Sequence, residues 1–108
     1  MAASALIDDP MLARFRDALE AMYCDSLERV ILFGSRARGD ARADSDYDVA
    51  IFLRTHPDGW EELDRLAWLR MEMIDATGAF FDARQYAASA YAERTPLMHE
   101  IRLEGLDL

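Results

Sequence analysis

Phe33-Gly34-Ser35-Arg36-Ala37-Arg38-Gly39-Asp40, followed by Ser45-Asp46-Tyr47-Asp48-Val49, is the stretch that decides how this 108-residue chain folds. Val30 to Phe33 ahead of it is a short apolar run that reads as a buried strand, and Tyr47 to Leu53 reads as a second. Between them, Ser35 to Asp44 is polar and arginine-rich, suited to a short helix and a loop. Gly34-Ser35 therefore sits where a strand hands over to a helix. A glycine there lets a phosphate approach the backbone closely, and the N–H groups opening the helix favour an anion. The Ser35 hydroxyl adds one donor. Taken alone, Gly-Ser after a strand is also an ordinary turn.

The acids that follow change the reading. Asp46 and Asp48 are two residues apart, so on a strand they share a face with Cα atoms roughly 6–7 Å apart. Val49 to Leu53 has the composition of a central strand covered on both sides. Two carboxylates at the start of such a strand repel, and burying either unpaired is costly. A divalent cation relieves that cost, and Mg²⁺ commonly uses one or two carboxylates together with substrate phosphates. Asp44 and Asp46 have the same spacing, but Asp44 lies deeper in the polar loop. A third acid, Asp82, follows Ala79-Phe80-Phe81 in an expected third strand. If that strand lies beside the second, Asp82 faces the same site. Three carboxylates around two metals are a known arrangement for in-line phosphoryl chemistry, with Asp82 as ligand or general base. The alternative is solvated acids at strand ends and sheet edges.

Working outward, Asp9-Pro10 reads as a helix start, followed by a core stripe of Leu12, Phe15, Leu19 and Met22. His56-Pro57-Asp58-Gly59 reads as a turn. Trp60, Leu63, Ala67, Met71 and Ile74 share one helical face, expected to be the buried one, and Gly78 is placed to cap that helix. Met71 and Met73 are both expected to fill the core. Ala79 to Tyr86 reads as the third strand and Ala88 to Glu93 as a short helix. Thr95-Pro96 starts a last helix carrying Leu97, Ile101 and Leu103, stopped by Gly105. Cys24 reads as a small buried hydrophobe. The expected architecture is α/β (α+β), a small sheet with packed helices, although periodicity alone leaves the strand order open.

The length suggests one domain over residues 1–108, and 52% apolar content argues against disorder. A single cysteine excludes an intrachain disulfide. No signal peptide or membrane-length apolar run is evident, so a cytoplasmic protein is expected. The net charge of −9, with 12 arginines and no lysine, disfavours direct nucleic-acid binding through the surface field. Without lysine there is no Walker-type loop. His56 and His99 offer no metal-ligand spacing. Arg38-Gly39-Asp40 spells an adhesion tripeptide by chance.

The combined run Gly34-Ser35-Arg36-Ala37-Arg38-Gly39-Asp40 and Ser45-Asp46-Tyr47-Asp48 resembles the glycine-serine and Asp-x-Asp pattern of the polymerase-beta-like nucleotidyltransferase superfamily. Within it, the chain resembles the minimal nucleotidyltransferase (MNT) branch, often antitoxins paired with HEPN-domain toxins. The resemblance spans essentially the whole chain, to Glu104-Gly105. It implies a mixed sheet with flanking helices. It also implies Mg²⁺-dependent transfer of AMP from ATP to a tyrosine of a HEPN ribonuclease toxin, silencing it, with pyrophosphate leaving. Carried over, Gly34 and Ser35 cradle the triphosphate, Asp46 and Asp48 hold Mg²⁺, and Asp82 completes the site. Arg36 and Arg38 neutralise phosphate charge or form surface salt bridges. Larger relatives add a domain that grips the acceptor. Here the acceptor is expected to bring its own surface or to bind at a homo- or hetero-oligomer interface. The competing expectations are an antitoxin acting by contact alone and a small-molecule, aminoglycoside-type transferase.

Overall fold

The computed structural model describes residues 9–55 and 60–108. Helix α1 (Pro10–Tyr23) begins as the sequence predicts: Asp9 caps it, its carboxylate accepting from the Met11 and Leu12 amides. A single 3₁₀ turn (Cys24–Ser26) leads into strand β1 (Leu27–Phe33). The one-turn helix α2 (Ser35–Arg38) and a loop precede β2 (Tyr47–Leu53). Helix α3 (Trp60–Thr77) crosses to β3 (Phe81–Ala87). After a 3₁₀ turn (Ala88–Ala92) come α4 (Pro96–Glu104), capped by the Thr95 hydroxyl, and a two-residue strand β4 (Leu106–Asp107). The expected turn at residues 56–59 lies outside the described residues.

The sheet has the order β3-β2-β1-β4. β2 and β3 run parallel, with α3 as the crossover that parallel pairing demands. β1 is antiparallel to both β2 and β4. This is the mixed sheet with flanking helices that the resemblance implies.

Alternation along the strands divides the interior in two. On one face, Val30, Leu32, Val49, Ile51 and Phe81 pack against Leu12, Phe15 and Leu19 of α1 and Leu66, Leu69 and Met73 of α3. On the other, Ile31, Ala50 and Phe52 pack against Met98 and Ile101 of α4. β2 is covered on both sides, as its near-continuous apolar run requires.

Several sequence expectations are corrected. The buried stripe of α3 is Leu66, Leu69 and Met73, while Met71 and Ile74 of the expected face are exposed, as is Ala67. The side chains of Trp60 and Leu63 lie outside the described part of the helix. Met73 fills the core but Met71 does not. Leu97 and Leu103 point outward, leaving Met98 and Ile101 to anchor α4. Cys24 is exposed rather than buried, because it leaves the α1 stripe at a positive φ of 50°. β3 starts at Phe81 rather than Ala79.

Candidate functional site

The site forms where β1 ends. Phe33 pairs with Asp48, so Gly34 turns the chain directly over that carboxylate. Gly34 has φ 74° and ψ −157°, a conformation essentially restricted to glycine. A β-carbon there would lie 3.1 Å from the Asp48 Cγ and closer still to Oδ2. Glycine at this corner therefore meets two demands, a backbone angle and a close approach. Ser35 opens α2, whose Arg38 and Ala37 amides donate back to the Gly34 carbonyl. With four residues, α2 is too short to contribute much of a dipole, contrary to the weight the sequence reading placed on it.

Asp48 and Asp82 are register partners on the parallel strands β2 and β3, so both carboxylates stand on one face, next to each other. This is the face covered by α4, because Asp48, Ala50 and Phe52 alternate together. Asp46 precedes Asp48 by two residues at the exposed end of the loop. Asp48 is half-buried, and its carboxyl is held above the usual carboxylate range. Desolvation is the main cause, followed by the negative charges of Asp82, Asp46 and Glu100, with Arg38 opposing them. Glu100 was not anticipated from sequence. It comes from α4, where Met98 and Ile101 bind the sheet and leave it beside the acids. Asp82 is more open, its side chain 40% exposed, and its Oδ1 lies 3.7 Å from Arg84 Nε.

The two arginines of α2 separate. Arg38 joins the acid face: its guanidinium bonds Asp40 Oδ2 at 3.2 Å and Glu104 Oε2 at 3.1 Å. Those two hydrogen bonds hold its pKa above the ordinary arginine value. Arg36 goes to the other face. Its guanidinium carbon sits 4.0 Å from the centroid of the Tyr47 ring, and its Nε and Nη2 bond loop carbonyls. Of the residues expected at the site, the fold thus gathers Gly34, Asp48, Asp82 and Arg38, brings Asp46 alongside, and takes Arg36 to the opposite side of β2.

Among the described residues, no group of three or more Asp, Glu, His or Cys side chains converges as a ready-made metal cage. The donor set nevertheless fits a hard dication. Magnesium needs only one or two carboxylates when phosphate oxygens complete its shell. A carboxylate that burial and three like charges disfavour in its ionised form is one that a cation would stabilise. No described helix is long and apolar enough to cross a membrane.

The chain has counterparts among known proteins. Two Methanocaldococcus jannaschii proteins, both provisionally named protein adenylyltransferase, match at 43% identity over 47 residues and 39% over 44 residues. The first alignment covers 44% of this chain and 48% of the relative, so the chain spans about half the length of the curated relatives it matches. A solved structure described as a minimal nucleotidyltransferase superposes with a TM-score of 0.58 at 27% identity, covering 100% of this chain and 97% of that one. A toxin-antitoxin crystal structure with AMP-PNP superposes with a TM-score of 0.62 at 20% identity, covering 87% of this chain and 69% of that one, which establishes likeness of fold. The family model described as "Polymerase beta, Nucleotidyltransferase" matches residues 20–105, from the end of α1 to the residue after α4. With its glycine corner, paired aspartates and mixed sheet inside that span, the chain belongs to the polymerase beta nucleotidyltransferase family.

Proposed function

We propose that the chain is a Mg²⁺-dependent nucleotidyltransferase that moves AMP from ATP onto a tyrosine hydroxyl of a partner HEPN ribonuclease toxin, and so acts as its antitoxin in the cytoplasm. The observation that carries this reading is the juxtaposition of Asp48 and Asp82 in register beneath the Gly34 corner. The names of relatives supply the acceptor class: protein adenylyltransferases, and fold neighbours solved as toxin-antitoxin complexes, one with a tri-AMPylated HEPN toxin from Shewanella oneidensis.

In this reading Gly34 and Ser35 receive the triphosphate, and Arg38 offsets its charge, exchanging its surface contacts with Asp40 and Glu104 for phosphate oxygens. Asp46 and Asp48 hold Mg²⁺, which supplies charge neutralisation at the phosphates and lowers the cost of ionising the acceptor. The acceptor oxygen forms a bond to the α-phosphorus, the bond to the bridging oxygen breaks, and pyrophosphate leaves. The phenolic proton passes to a carboxylate, and Asp82, the more open acid, is placed to take it or to share the metal.

The test is incubation with α-labelled ATP and a HEPN protein encoded beside this chain. Label transferred to the partner in Mg²⁺, and absent with EDTA or with the Asp46→Asn/Asp48→Asn double variant, is the expected result. Binding of the two proteins without label transfer would leave an antitoxin acting by contact and reject the transferase.

A further inference from the structure

Arg36 lies in the stretch that reads as a phosphate loop, yet its guanidinium turns away from the acids. Nε and Nη2 both donate to the Ser45 carbonyl, at 3.1 and 2.8 Å. Nη2 also reaches the carbonyls of Ala43 at 3.2 Å and Arg42 at 3.4 Å. The same plane stacks on the Tyr47 ring at 4.0 Å. One side chain therefore grips both sequence neighbours of Asp46: the carbonyl of Ser45 before it and the ring of Tyr47 after it. The Tyr47 ring is itself fixed. It stacks on Phe81 at 4.6 Å, and its hydroxyl donates to Asp9 Oδ2 at 2.8 Å, the carboxylate that caps α1.

The loop needs such a clamp. A recess of about 210 Å³ lies behind it, bounded by Arg36, Asp44, Ser45, Tyr47 and Gly78, so side-chain packing does not support it from that side. Its internal bonds, Arg42 N to Ser45 Oγ at 2.8 Å and Ser45 N to the Arg42 carbonyl at 3.0 Å, close a turn but do not tie it to the sheet. Arg36 ties the loop to α2 and, through the Tyr47 ring, to the start of β2. A planar fork that bonds and stacks at once is available to arginine and not to lysine.

From this geometry we infer that Arg36 is a positioning residue that holds Asp46 in place for the metal, rather than a ligand of the triphosphate. The inference builds on the transferase reading, but part of its test is independent of it. Hydrogen exchange of the free chain, without nucleotide or metal, is compared for the wild type, Arg36→Ala and Arg36→Lys. The amides of Arg42 and Ser45, whose bonds close the turn, are expected to exchange about tenfold faster or more in both variants, while β2 stays protected. AMP-PNP binding is then titrated calorimetrically across MgCl₂ concentrations and in EDTA. Both variants should need about tenfold more Mg²⁺, the scale on which supporting groups set metal affinity, with affinity in EDTA unchanged.

Lysine is the discriminating substitution, since it keeps the charge and is mild enough to fold. Restoration of wild-type Mg²⁺ dependence by lysine, or an equal loss of AMP-PNP affinity with and without Mg²⁺, would mean that Arg36 serves the phosphates and would overturn the inference. Unchanged exchange in the alanine variant would overturn it as well. A wild-type chain that binds no AMP-PNP at any Mg²⁺ concentration would instead remove the transferase reading, and the exchange data alone would then decide whether the clamp exists.

Discussion

The two faces of β2 at its first residues carry opposite chemistry. Asp48 looks toward α4 into a gathering of charge: Asp82, Glu100, Arg38 and, at the loop end, Asp46. Tyr47, one residue earlier, looks toward α1 and stands in an aromatic column, with Phe81 at 4.6 Å and Phe15 a further 4.2 Å beyond. Burial and the Asp9 hydrogen bond push the Tyr47 hydroxyl up to about 12, so it stays a neutral donor. The contrast shows how a small fold tolerates repulsion at a site. Charges that oppose one another occupy one side of a strand, and the packing that holds the strand occupies the other.

The largest expected effect breaks the aromatic side. Phe81 is fully buried, so Phe81→Ala should cost about 3–5 kcal/mol in denaturant unfolding, and Asp48 loses its register as β3 loosens. Asp48→Asn should do the reverse on the charged side. AMP transfer is expected to fall at least about 100-fold, the upper range for groups that support a metal, while the fold gains stability near neutral pH. The sign follows from the raised carboxyl of Asp48. The folded state holds its proton more tightly than the unfolded chain, so stability contributed by protonation is present below the ordinary carboxylate range. It is lost as pH rises through the raised value. The thermal advantage of the asparagine variant should therefore be clear at about pH 7 and vanish near pH 3; an advantage that persists at low pH would remove desolvation as its cause.

Gly34→Ala probes the corner where the two sides meet. It is expected to cost about 1–3 kcal/mol for the backbone alone, and the clash with Asp48 should lower transfer even at temperatures where the variant is folded. Arg38→Ala is expected to have the smallest effect. Its ion pairs are at the surface, where such pairs contribute little to stability, so the unfolding transition should barely move, and the ATP KM should rise about tenfold, near the worth of one charge-assisted hydrogen bond. A KM unchanged in that variant would detach Arg38 from the phosphates.

Much of this was legible in the residues. β2 was readable because its run is apolar apart from Asp48, whereas Asp46, expected to share the strand and its face, lies in the loop just ahead of Tyr47. The Asp9 and Thr95 caps were readable because each stands directly before a proline. α3 was misread for a physical reason. Leu66, Leu69 and Met73 form one stripe at helical spacing, and Ala67, Met71 and Ile74 form another. Periodicity reports that a helix is present but not which of two apolar stripes meets the sheet. Glu100 looks like any helical acid until α4 docks. The pairing of Leu106 with Leu32 in β4 is too short and too distant in sequence to leave a pattern. The divergence of Arg36 and Arg38 follows from their spacing, since residues two apart on a helical turn face opposite ways, but which of them meets the acids depends on how the turn docks.

The outward stripe of α3 has a colloidal consequence. Trp68 is 65% exposed and Met71 60%, with Ile74 beside them. Molecules bearing such a strip are kept apart by mutual repulsion of their net charge of −9. That barrier disappears at the isoelectric point, near 4.5, while the strip stays as greasy as before. Mild acidification should therefore cloud a concentrated solution before it unfolds the chain, and returning the pH to neutral should clear it.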